Sequence, residues 1–212
     1  MENVNNQERP SGLYNRWNFE LAKLAPKEDN RYMLSALLVE PGATVETDGH
    51  HLVKVTTPNH GTDFDQYPKP EGFSTIRPNK NHLLPRSAAL DIAKNCPRKQ
   101  SIPVLENAAM LEQPEGQIGF VTTDLETAKP VVVKETKGQF PNYQAYIPND
   151  GATLTIGFNA QYMADLCSFM AKAGNARSHA VKMEFYGPDK PVKMTAKNPD
   201  TGQEITAVLM PM

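Results

Sequence analysis

With 212 residues, 39% of them hydrophobic, the chain has the length for one large domain or two small ones around a real core. Its 22 basic and 24 acidic residues leave a net charge of −2, which excludes nucleic-acid binding by overall positive charge but not by one basic face. No run reaches membrane-span length, and residues 1–12 are polar without an apolar signal core, so a cytoplasmic protein with a disordered N-terminal tail is expected. Cys96 and Cys167 sit in apolar helical patterns outside any CxxC motif and read as reduced, buried thiols. The 18 prolines and 13 glycines are spread between runs, as many short strands joined by turns require.

Leu13, Trp17, Leu21 and Leu24 recur at helical spacing until Pro26, predicting a helix over 13–25 with Trp17 in the core. Residues 30–58 read as a three-stranded meander, with turns at Pro41-Gly42 and Asp48-Gly49. A polar connection follows, in which His60, Asp63 and Asp65 come close behind His50 and His51. Adjacent strand residues point to opposite faces, so His50 and His51 do not share one ion, and neither HExxH nor HxH spacing is present. A metal-dependent hydrolase built on His50, His60, Asp63 and Asp65 is therefore a minor alternative, and no metal or cofactor is expected.

A short strand at 81–84 leads into a helix with an apolar stripe of Leu84, Ala88, Ala89, Ile92 and Cys96, stopped by Pro97. Strands over 108–113 and 118–122 and a returning strand follow, with Thr123-Asp124 placed as Thr47-Asp48 is in the first meander. A third copy reads as a strand over 152–158 and a helix capped by Asn159 and ended by Gly174. Tyr162, Met163, Leu166, Phe169 and Met170 form its stripe, and strands over 180–186, 192–197 and 204–210 complete the copy. The unit is strand, helix, three strands, present twice in full and once with a weak start, and such copies bury their faces against one another.

Five stretches carry a family resemblance in order: RYMLS…TDGHHL, SIPVLENAAM with TDLE, GQFPNYQAYIP, IGFNAQYMADL and the final VLMPM. They resemble the bacterial replicative sliding clamp, the beta subunit of DNA polymerase III. The resemblance implies an α+β DNA-clamp fold, with antiparallel sheets outside and helices on one face. Residues 13–148 resemble the family's second domain and 149–212 half of its last. It further implies a processivity factor without enzymatic activity that tracks duplex DNA through its backbone. The implied partners are a DNA polymerase, other proteins with clamp-binding motifs and a clamp loader, and the implied state is a homo-oligomer.

Carried over by position, the peptide pocket would comprise Leu34, Thr47, Gly49, His50, His51, Leu52, Pro141 and Tyr146, together with Val208, Leu209, Met210, Pro211 and Met212. Leu and Met surfaces suit Leu and Phe anchors. The basic lining would comprise Lys94, Arg98, Lys99, Lys172 and Arg177. Departures from the family are the missing first domain, the half-length last one, His51 and Ala145 where Arg is usual, and Tyr146 where a small apolar residue is usual. A clamp-like adaptor or decoy that binds these peptides without encircling DNA is the main alternative.

Overall fold

The meander forms as its alternation requires. In the structure, a computed structural model that describes residues 12–27, 34–57, 64–98, 101–175 and 177–212, strands β2 (Ala36–Glu40), β3 (Ala43–Thr47) and β4 (Leu52–Thr56) run antiparallel. Gly42 and Gly49 make the turns with φ of 78° and 88°, a left-handed backbone that a side chain would strain. Thr47 pairs with Leu52, so residues 48–51 close the second hairpin, a longer turn than Asp48-Gly49 alone. Of the tail expected over 1–12, only Gly12 is among the described residues, and it is buried.

One helix over 13–25 does not form. Residues there divide into β1 (Leu13–Asn15) and α1 (Arg16–Glu20), followed by a single tight turn. The Asn15 side chain caps α1 by accepting from Trp17 N at 2.8 Å, and Asn18 Oδ1 accepts from Asn15 N at 2.9 Å. A helix begun at Arg16 turns Asn18 and Phe19 inward, which leaves Trp17 68% exposed instead of in the core.

The second repeat follows as β5 (His82–Pro85), α2 (Arg86–Asn95), β6 (Asn107–Met110), β7 (Gln117–Thr123) and β8 (Ala128–Lys134). Its stripe of Leu84, Ala88, Ala89, Ile92 and Cys96 is buried throughout. Strand β6 ends at Met110, short of the 108–113 run; Leu111 beyond it still donates to Gly119 O of β7 at 2.9 Å and bridges Thr75 on its other side.

The leading strands are exchanged between the repeats. One sheet has the order β1-β6-β7-β8 and the other β4-β3-β2-β5, so Tyr14 pairs with Ala108 and Leu37 with Leu84. Both helices lie on the core that the sheets share, with Phe19, Leu37, Leu84, Ile92 and Phe120 meeting there. The outer face of each sheet is sealed separately. Tyr67 and Val104 cover one, Phe140 and Tyr143 the other.

The chain divides into two compact units, Met1–Ile147 and Pro148–Met212. In the second, α3 (Ala160–Ala173) packs Met170 on Val192 and Met194 of a sheet ordered β11-β10-β9. Its strands are β9 (Lys182–Glu184), β10 (Val192–Lys197) and β11 (Glu204–Leu209). Asn159 Oδ1 caps α3 by accepting from Gln161 and Tyr162 N–H groups. Gly174 ends it for a reason of space and not of handedness: its φ is −84°, and an added Cβ would lie 2.7 Å from Met170 O.

Residues 152–158 were expected as a strand and join no ladder among the described residues. In the first unit each leading strand lies in the sheet of the other repeat, and the second unit holds a single repeat. The edge that such a leading strand completes belongs to the partner repeat, so the free edge of its own repeat does not serve it.

Candidate functional site: two apolar clefts and a basic helical face

In the first unit the hairpin of residues 48–51 and the segment around Tyr143 enclose a cleft of about 400 Å³. Leu34, Thr47, Gly49, His50, His51, Leu52, Pro141 and Tyr146 line it, all of them carried over from the sequence, together with Tyr143. The hairpin is stiffened from within. Asp48 Oδ1 accepts from the His50 and His51 N–H groups at 2.7 and 2.9 Å, and Thr47 Oγ1 donates to His51 O. Burial pulls the Asp48 carboxyl up, but these N–H groups and the His51 ring outweigh it and hold it below the usual range.

Tyr143 is the wall that sequence reasoning missed, although it lies within the quoted GQFPNYQAYIP. Its hydroxyl donates to Glu40 Oε2 at 2.8 Å and accepts from Lys54 Nζ at 2.8 Å, while Lys54 also lies over its ring. The hydrogen bond to Tyr143, and then Glu40, raise the Lys54 ammonium against the opposing effect of burial. An Asn-Tyr pair inside a proline-bounded segment was the available signal.

Beneath the hairpin, His51 Nε2 stands 2.9 Å from Glu46 Oε2. Glu46 is fully buried, and its Oε1 has no hydrogen-bond partner among the described residues. Desolvation by burial raises its carboxyl above the usual range, and His51 offsets only part of that. A raised folded value means that protonation favours the fold. This carboxyl's contribution is complete below the ordinary carboxylate range and is lost as pH rises through the raised value. Glu46→Gln is therefore expected to remove that loss, so that urea midpoints of the variant gain on wild type as pH climbs from acid to neutral. Parallel pH profiles for the two proteins would contradict it.

In the second unit the C-terminal residues form a cleft of about 530 Å³ against the start of α3. Val208, Leu209, Met210, Pro211 and Met212 line it with Tyr162 and Leu166. Leu209 is buried in the core, whereas Val208, Met210 and Met212 are exposed. Met212 N donates to Gly157 O at 3.0 Å, which ties the last residue to the segment before α3. Tyr162 and Leu166 were read from sequence only as helix stripe. Nothing in their spacing distinguishes a cleft wall from a core.

Lys94, Arg98, Lys172 and Arg177 are exposed, and Lys99 lies outside the described residues. Lys94 and Arg98 flank a shallow groove between α1 and α2 that also holds Arg16 and Lys23. Three of these four charges are already engaged: Arg16 and Lys23 pair with Glu20, and Lys94 with Asp91 at 2.9 Å. Of the alternative metal set, His60 and Asp63 lie outside the described residues, His50 lines the first cleft and Asp65 pairs with Arg77. Among the described residues no group of three or more His, Cys, Asp or Glu is placed to hold a metal ion. Nor is any helix among them long and apolar enough to cross a membrane.

Exchanged strand–helix–three-strand repeats with antiparallel sheets define a DNA-clamp fold, and known structures agree. The beta sliding clamp of Caulobacter crescentus matches with a TM-score of 0.62 at 18% identity, over 100% of this chain and 52% of that one. The DNA polymerase III beta subunit of Pseudomonas aeruginosa, bound to griselimycin, gives 0.62 at 20% identity over 100% and 53%. The Helicobacter pylori beta clamp bound to a DNA ligase peptide gives 0.53 at 16% identity over 91% and 46%. No family model and no curated protein matches the chain. The likeness read in the sequence thus extends over the whole chain as a likeness of fold, and the chain spans about half the length of the solved clamps it matches.

Proposed function

We propose that the chain is a sliding-clamp-like platform that binds short clamp-binding peptides of replication proteins and follows duplex DNA without reading its sequence, and that it catalyses no reaction. The observation carrying this reading is chemical. Two clefts, each lined by Leu, Val, Pro, Met or Tyr around few polar groups, lie at the positions matched to the family's peptide pocket. Such surfaces suit Leu and Phe anchors, and the Met residues adapt to different partners. A clamp bound to a DNA ligase peptide among the similar structures supports the same class of ligand.

Fluorescence anisotropy of a labelled clamp-binding peptide tests the reading. Binding is expected, and removal of residues 209–212 is expected to abolish it. A peptide that does not bind, or binds equally well after truncation, would overturn it. Retention on primed circular DNA then separates the platform from the adaptor that binds peptides alone.

For the DNA half of the reading, Trp17 is a built-in reporter, being the chain's single tryptophan and exposed on α1 beside Arg16. Its emission is expected to be that of a hydrated indole, freely quenched by acrylamide. Duplex DNA is expected to protect it in a salt-sensitive manner, because phosphate contacts release counterions. Lys94→Glu with Arg98→Glu should remove the protection, and quenching unchanged by DNA would count against this face.

A further inference from the structure

Within the first unit, the strand that opens each meander is covered on its outer side by the leading strand of the other repeat: β6 by β1, and β2 by β5. Strand β9 opens the meander of the second unit. Among the described residues it has β10 on one side and no strand on the other. The leading segment of the same repeat, residues 152–158, joins no sheet. An unpaired edge and an unpaired strand segment thus occur together in one repeat.

The helix-facing side of β9 is open as well. Met110 of β6 is 2% exposed beneath α1 and α2. Met183 of β9 pairs with the fully buried Met194 and so shares its face, yet is 37% exposed, and Phe185, two residues on, is 48% exposed. On α3 a second stripe, Tyr162, Leu166, Phe169 and Ala173, follows at spacings of four, three and four beside the core stripe of Met163 and Met170. Phe169 on this stripe is 60% exposed. In the first unit, α1 and α2 pack on each other over the shared core.

The charges beside Phe169 fit a second copy of α3. Asp165 and Lys172 flank Phe169 on α3, and neither joins an ion pair among the described residues. About a two-fold axis near Phe169, an antiparallel copy of α3 sets Asp165 against Lys172 of the partner subunit, and the reverse contact forms by symmetry. The leading segment ATLTIGF is uncharged, and at the β9 edge Lys182 and Glu184 already pair at 2.9 Å, so strand addition leaves no charge unmatched. The surface is self-complementary.

We propose that the second unit associates with a second copy of this chain, α3 against α3 and residues 152–158 of each copy along β9 of the other, completing the exchanged pair that the first unit forms internally. This inference shares Tyr162 and Leu166 with the second cleft and Lys172 with the expected basic lining, but it is tested with neither peptide nor DNA present, so its failure and theirs are distinguishable. Sedimentation or native mass spectrometry of the full chain is expected to show a dimer or a larger even assembly. Phe169→Asp should halve its mass with the circular dichroism spectrum unchanged.

Asp165→Lys and Lys172→Asp, at exposed sites where folding is not at stake, should each weaken association by roughly tenfold, since like charges then meet twice across the axis. The double variant Asp165→Lys/Lys172→Asp should restore it. A single-chain mass for the wild type, a mass indifferent to Phe169→Asp, or a double variant no tighter than the singles would overturn the proposal.

Discussion

Phe120→Ala is expected to lower the free energy of unfolding by about 3–5 kcal/mol, the range for emptying a buried aromatic site. Phe120 is fully enclosed, with its ring edge-on to Tyr14 at 5.6 Å and to Phe19 at 5.1 Å. Its position decides the size of the effect more than its volume does. Tyr14 comes from β1 and Phe19 from α1, both in the first repeat, whereas Phe120 comes from β7 in the second. The cavity therefore opens on the seam between repeats, where neither repeat can relax into it without disturbing the strand it lends to the other's sheet. Val132→Ala on the partly exposed strand β8 is the matched control and should cost little. Urea denaturation followed by circular dichroism gives both numbers, and a loss below about 1 kcal/mol for Phe120→Ala would mean that the seam is not a close-packed core.

The second large effect concerns the clefts. Tyr146→Asp in the first unit and Met210→Asp in the second should each weaken a clamp-binding peptide by about 2 kcal/mol, or roughly thirtyfold. Both side chains are well exposed, at 78% and 63%, so neither change should move the unfolding midpoint. That separation makes the result readable, since lost affinity with intact stability can only report on the cleft surface. Anisotropy titrations alongside thermal melts provide the measurement. Unaltered affinity in both variants would remove the clefts from the binding reaction.

The elements most legible in the sequence were those whose periodicity and punctuation agreed. The meander of residues 34–57 has alternation bounded by Pro41-Gly42 and Asp48-Gly49, and α2 has its apolar stripe ended by Pro97. Trp17 was misread because the spacing of Leu13, Trp17, Leu21 and Leu24 fits a helix that the strand pairing of Leu13 with Ala109 forbids. Residues 152–158 failed for the complementary reason: the strand pattern is present, but pairing depends on an edge that pattern does not describe.

The cleft residues of the first unit were legible through family likeness, not through periodicity. Tyr143 was missed because its importance lies in Glu40 and Lys54, distant in the chain. Exchange of leading strands was invisible to any local reading, since it is a fact about partners and not about propensity.

That exchange governs the order in which the molecule can be assembled. Among the described residues β1 finds its ladder partner in residues 107–109, more than ninety positions further along the chain, so the first sheet closes only after β6 has been made. Closing contacts of such long sequence separation slows folding and leaves Tyr14 and Phe19 uncovered on the nascent chain until they close. Neither repeat of the first unit has a complete sheet of its own, so the pair of repeats, and not the single repeat, is the smallest piece that keeps both ladders.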